Sequence, residues 1–242
     1  SLSMLYLAES KPKLFIPAAF SSILSVFGLL VVSFLMLSAT VAKAQVKSTD
    51  FYNSGIKAKN DGKLEKALEI WWKAKNELDE PDFRISQAYI SHVAEKKIKK
   101  YYKKASELYF WGLRGELQDI EKEAFAYELK HISPLLERKQ EKALENAFKK
   151  EKDDFLSNLE SFWSTKDPTP LDEYNERLLE HWERLSYVKR KFRKSTSAEF
   201  DDRGRIYIKY GSPFYQKDGR LKYKPGTVSH LLRRRLSPAL SR

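Results

Sequence analysis

Cysteine is absent from the 242 residues. That excludes a disulfide framework, a thiolate metal site, a cysteine nucleophile and an acylated N-terminal cysteine. Histidine is scarce, and His92, His131, His181 and His230 stand far apart, none in a metal-binding spacing. Glu180-His181-Trp182-Glu183 is a local exception, but adjacent helical residues point in different directions and cannot converge on one ion. A glycine-rich phosphate loop, a nucleophile elbow and a Walker lysine are all missing. No catalytic residue, metal site or cofactor is therefore expected. Glycine and proline, nine each, fall mostly between the apolar-periodic stretches, as helices require.

What the chain has in excess is positive charge, 45 Lys+Arg against 33 Asp+Glu, for a net +12. Residues 1–44 hold Lys11, Lys13 and Lys43 against Glu9, a net +2. Residues 217–242 hold eight basic residues, Arg233-Arg234-Arg235 among them, against Asp218 alone, a net +7. Only +3 remains for residues 45–216. A nucleic-acid binder concentrates Lys and Arg on a folded face or groove, so this distribution argues against a nucleic-acid partner. The one internal cluster, Lys189 to Lys194, reads as a solvated helix C-terminus complementing the helix dipole. With 42% hydrophobic residues the chain is no disordered tail.

From Leu14 to Ala42 run 29 uncharged residues, preceded by Lys11 and Lys13 and closed by Ala42-Lys43-Ala44-Gln45. A basic start, an apolar core and small residues at an A-x-A site read as a secretory signal peptide. The run is also long enough to span a bilayer of about 30 Å, so an uncleaved anchor competes with cleavage. Either way the body after Gln45 is expected outside the cytoplasm, periplasmic or secreted. Residues 14–42 would be its one link to the inner membrane. Ser1-Leu2-Ser3-Met4 suggests a reading frame opened ahead of its start at Met4.

Asp50 to Leu78 carries Phe51, Gly55, Ala58, Gly62, Ala67, Trp71, Trp72 and Ala74, with Pro81 beyond. The spacings resemble a tetratricopeptide repeat: small residues where two helices cross, a glycine at the turn, and an aromatic filling the groove between hairpins. Tyr89, Ala105, Tyr109 and Gly112 echo the pattern 38 residues later. Plain helical hairpins explain the same spacings equally well. Since helical neighbours diverge by about 100°, one ring of Trp71-Trp72 must lie nearer the surface and could mark a partner groove. A third helix is expected from Ser133 as N-cap and Pro134 at its first position, running through Trp163. A fourth is expected from Thr169 as cap with Pro170 at its first position. After Ser195 the pattern turns to alternation. Arg205 to Tyr210 reads as a strand, and Tyr215 to Tyr223, with Asp218-Gly219 at the turn, reads as a β-hairpin.

Phe162-Trp163, Asp167-Pro168-Thr169-Pro170, Asn175-Glu176, Arg184, Tyr187 and Asp202-Arg203-Gly204-Arg205-Ile206-Tyr207-Ile208-Lys209-Tyr210-Gly211-Ser212-Pro213 form the most specific stretch. Together they resemble the GWxTD-domain family, exported bacterial envelope proteins whose biochemical role is uncharacterised. The resemblance implies an export signal, a helical and sometimes repeat-like N-terminal part, and a D-R-G-x-I-Y-I-x-x-G-x-P element leading into a sheet. Its matching positions here are Trp163, Asp167, Pro168, Asn175, Glu176, Asp202, Arg203, Gly204, Tyr207, Gly211 and Pro213. The name-giving Gly-Trp pair is missing, since Ala198-Glu199-Phe200-Asp201 precedes Asp202. Beyond Pro225 the basic, Ser/Leu/Arg-rich tail has the composition of out-of-frame translation, so the sheet is expected to be incomplete.

Four segments follow: a signal or anchor at 1–44, a repeat-like helical region at 45–132, an incomplete GWxTD-like domain at 133–225 and a basic tail at 226–242. The expected fold is mainly α, helical hairpins followed by a small, truncated α+β module with a β-hairpin. The expected role is interaction or assembly with an envelope protein, through Gly55, Gly62, Ala67, Trp71, Trp72 and Ala74. The competing expectation is an extracytoplasmic enzyme or divalent-cation binder using Asp201, Asp202 and Glu176, since paired carboxylates can move a proton or hold a cation. The simpler reading of that turn has Asp202 as its cap, Arg203 paired with an acid, and Gly204 at positive φ.

Overall fold

The computed structural model describes residues 43–150, 154–195 and 199–213. Nine α-helices run through these residues: α1 (residues 43–60), α2 (Leu64–Glu77), α3 (Phe83–Lys96), α4 (Tyr102–Gly112), α5 (Lys122–Ile132), α6 (Arg138–Lys149), α7 (Asp154–Lys166), α8 (Glu176–Lys191) and α9 (Asp202–Tyr210). The molecule is mainly α, as its periodicity predicts. The signal segment up to Ala42, the hairpin expected at Tyr215 to Tyr223 and the tail at 226–242 lie outside the described residues.

The first hairpin, α1 and α2, turns at Gly62, whose φ of +74° suits glycine. Its helices meet at Gly55, where an added Cβ would fall inside the Trp71 indole. The absence of a side chain at Gly55 therefore makes room for the largest buried residue of α2. Ala67 and Ala74 are buried one turn to either side of Trp71. The second hairpin, α3 and α4, repeats the device. Asp82 caps α3 by accepting from the Arg84 N–H at 2.9 Å. Gly112 abuts Ser86, whose hydroxyl donates to the Leu108 carbonyl at 2.7 Å.

Helix α5 closes over these hairpins by stacking Phe125 on Phe83, ring centroids 4.1 Å apart. Helix α8 packs against α3, α4 and α7, and α9 packs on α8 and on the 3-10 turn Ser133–Leu135. One hydrophobic core runs from Ala58 to Ile208. Residues on both sides of position 133 share it.

Three sequence expectations are corrected. Ser133 does not cap a long helix: Ser133–Leu135 is a 3-10 turn, Leu136 is extended, and α6 starts at Arg138. Glu137 and Gln140 exchange reciprocal side-chain bonds there as a capping box. Thr169 does not cap the next helix either. Its N–H donates to the Asp167 carboxylate at 3.2 Å in a proline-bounded turn, and the cap of α8 is Asn175, six residues later. The third correction is the strand at Arg205 to Tyr210, which is helix α9. Among the described residues there is no strand, only an isolated antiparallel bridge between Arg193 and Phe200.

Helix wins at α9 because tertiary contacts override β-rich composition. Asp201 accepts from the N–H groups of Arg203 and Gly204 at the N-terminus. The Arg184 guanidinium donates to the carbonyls of Ile208 (3.0 Å) and Lys209 (3.3 Å) at the C-terminus. Gly204 and Ile208, four apart, form the buried edge. Gly204 is helical rather than at positive φ, and its smallness serves packing: a Cβ there would lie 2.6 Å from Phe200 Cδ2. Gly211, at φ +79°, ends the helix against Arg184.

Candidate functional site

The motif residues of the resemblance fall in two places. In the first, Trp163 is fully buried, and its indole N–H donates to the Tyr109 hydroxyl at 2.9 Å. That hydroxyl donates in turn to Glu128 Oε1 at 2.5 Å. Burial pushes the Glu128 carboxyl up to about 7, against the opposing pull of the Tyr109 hydroxyl. Asn175 completes this layer. Its side chain accepts from the Leu178 N–H (2.8 Å) and donates to the Trp163 carbonyl (2.7 Å). Its own N–H donates to the Ser106 hydroxyl at 3.1 Å. One residue thus caps α8 and ties down the end of α7 with its side chain, and docks both on α4 with its backbone N–H.

The second group is α9 with its support. The Asp201 carboxylate, not that of Asp202, is the cap, and it also receives the Arg203 guanidinium at 2.6 Å. That bond holds the Asp201 carboxyl below its usual range. Asp202 is exposed in the first turn. Tyr207 stacks on Tyr187 with centroids 4.6 Å apart, which fastens α9 to α8. Pro213 is exposed beyond Gly211, as is Pro168 in the turn before α8.

Glu176 belongs to neither carboxylate. It occupies the first turn of α8, whereas the Asp201 N–H donates to the carbonyl of Phe192, just past the other end of that helix, at 3.0 Å. Sixteen residues of α-helix separate the two ends by about 24 Å. The structure does not bring Asp201, Asp202 and Glu176 together, and no group of three or more metal-ligand side chains occurs among the described residues.

The repeat-like positions lead to a surface. Trp71 is buried, while the half-buried Trp72 ring lies under two ammonium groups, Lys75 at 5.1 Å and Lys104 at 4.9 Å from its centroid. Lys75 also lines an open cleft of about 520 Å³ between α2, α4, α7 and the segment entering α8. Phe110 and Trp111 supply its apolar wall. Three ion pairs bridge the elements around it: Lys75 with Glu107, Lys103 with Glu173 at 3.0 Å, and Arg114 with Glu160 at 3.9 Å. Ser106, the hydroxyl that receives Asn175, is part of the lining. The motif layer of Trp163 and Asn175 therefore backs the same cleft that the Trp72 face borders.

No protein-family model, curated protein or solved structure matches the chain. The cleft must then be judged by its own chemistry. Aromatic area beside exposed, mutually paired charges favours binding a mixed-polarity polypeptide over an acid–base reaction, because the carboxylates there already have cationic partners. Trp111, Lys103, Arg114, Glu160 and Glu173 were not singled out by sequence reasoning. Their juxtaposition depends on how α4 crosses α7, which no local spacing encodes.

Proposed function

We propose that the chain is an exported bacterial envelope protein, similar to the GWxTD-domain proteins, that holds a partner polypeptide in the α2–α4–α7 cleft. The carrying observation is the convergence at that cleft of the Trp72 face, the Phe110–Trp111 wall and the Ser106–Asn175 contact. Half-exposed Trp beside Lys and Arg is the composition of an interface anchor, offering large apolar area with little side-chain entropy to lose. The three bridging ion pairs are exposed and individually weak, so a partner's charges can exchange with them at little cost. Export is supported by the uncharged segment 14–42 and its A-K-A boundary. An enzymatic or cation-binding role for Asp201, Asp202 and Glu176 finds no support in their separation. The reading is tested by co-purification from the extracytoplasmic fraction with Trp111→Ala and Lys103→Glu. Each is expected to lower recovery of one defined partner roughly tenfold or more while the chain stays folded with wild-type helicity, and Lys103→Glu, at an exposed position, also keeps the melting temperature. Undiminished recovery in both variants would remove the cleft from the interface.

A further inference from the structure

A second cleft, of about 260 Å³, lies away from the first, between α1, α3, α5 and α8. Its lining is rich in donors. Lys59 enters from α1, Ser91 from α3, Tyr127 from α5, and Trp182, Ser186, Lys189 and Arg190 from α8. Glu95 is the one acid in the lining, and it is engaged by Lys96 at 3.4 Å and faces His92 at 3.8 Å. Lys189 is likewise engaged, donating to Glu199 at 2.5 Å and to the Tyr127 hydroxyl at 2.9 Å. Lys59 and Arg190 have no acidic partner among the described residues. Trp182, only 2% exposed, has an indole N–H with no acceptor. A buried donor left unpaired costs roughly 1–3 kcal/mol. Four helices thus assemble two uncompensated cations and two serines around one opening, with the unsatisfied Trp182 N–H buried in the wall behind it.

We infer that this cleft binds a phosphate group carried on a small molecule or a lipid head. Two unpaired positive charges match the two negative charges of a phosphate monoester, and the Ser91 and Ser186 hydroxyls suit its further oxygens. A carboxylate would leave one cation uncompensated. The volume admits the phosphate and a short carrier, which excludes a nucleic-acid strand. This cleft shares no lining residue with the α2–α4–α7 cleft, so the inference stands independently of the proposed polypeptide partner.

The test uses the full chain in mild detergent, with inorganic phosphate as probe and chloride at equal ionic strength as control. Phosphate is expected to raise the melting temperature by several degrees as it saturates the folded state. The double variant Lys59→Gln, Arg190→Gln changes exposed or half-buried side chains. It should melt at the wild-type temperature without phosphate and lose the phosphate-dependent shift. Retention on vesicles containing phosphatidic acid, whose head is a phosphate monoester, but not on phosphatidylcholine vesicles, abolished in the double variant, would identify a lipid phosphate. A thermal shift without vesicle retention would identify a soluble phosphate ester. An equal shift in wild type and double variant, or none in either up to tens of millimolar phosphate, would overturn the inference.

Discussion

Asn175 carries more of the structure than its size suggests. It supplies the cap of α8, satisfies the Trp163 carbonyl and places its N–H on Ser106. Asn175→Ala removes a cap and leaves a buried carbonyl unpaired, so a loss of about 2–4 kcal/mol is expected in denaturant unfolding. Asn175→Asp keeps the cap but not the donor, and should fall between. Glu128 shows the opposite economy. Its folded-state pKa of about 7 lies above the ordinary carboxylate value, so the folded chain holds the proton more tightly than the unfolded chain does. The stability from this group is full below the unfolded pKa and is lost as pH rises through about 7. Buried His131 works the other way, held down to about 4 mainly by burial. Its contribution is full above about 6.5 and is lost as pH falls toward 4. Glu128→Gln should therefore gain stability relative to wild type between pH 4.5 and 7, measured by melting temperature against pH. A flat difference would contradict the assignment. Trp71 and Gly55 were legible in sequence because both sit within one hairpin and at repeat spacing. Tyr109 was legible as an echo of the same spacing, but its bond to Glu128 was not, since nothing local announces a hydrogen bond between side chains on α4 and α5.

At the scale of elements, the hairpins α1–α2 and α3–α4 follow from the spacing of small and aromatic residues, α5 carried no expectation of its own, and the errors gather at boundaries and at α9. The turn before α8 shows why. Two prolines and a threonine cap at Thr169 satisfied the local rules for a helix start, yet Asn175 alone could also reach the Trp163 carbonyl, and that contact decided the boundary. The Arg205 to Tyr210 alternation read as strand because composition cannot register the guanidinium of Arg184 waiting at its end. Arg184 donates to the last carbonyls of α9 and pairs with Glu180, and Arg177 adds a longer bond to Ile208 at 3.4 Å. Arg184→Ala should leave those carbonyls uncapped. In hydrogen exchange, the amides of α9 are expected to lose protection by roughly tenfold or more while those of α3 and α4 keep theirs. Equal loss in all three helices would mean that α9 is no separate unit of stability.

Across the whole molecule, one core joins the repeat-like hairpins to the motif-bearing helices, with α8 packed on α3 and α4. Gly55 tests that continuity from its far end. Gly55→Val drives a side chain into the Trp71 ring, and overpacking of this kind typically costs about 1–3 kcal/mol. Because the core is shared, a single cooperative unfolding transition should shift to lower denaturant. Two separated transitions would instead indicate that the hairpins and the motif helices unfold independently. No described helix is long and apolar enough to cross a membrane, and the uncharged segment 14–42 is long enough by sequence to be a candidate span. The net charge of +12 carries less functional meaning than its size suggests, since most of it belongs to the two ends. What is distinctive in the folded body is local: the aromatic cleft bordered by Trp72 and backed by Asn175. Photo-crosslinking in intact cells tests that cleft most directly, with the reactive residue placed at Ser164 in the cleft lining or, as control, at exposed Lys139 on α6. A single extracytoplasmic adduct from position 164, absent from position 139 and lost with Lys103→Glu, is the expected result. Identical adducts from both positions, or none from position 164 while the chain is exported and folded, would contradict a partner-binding cleft.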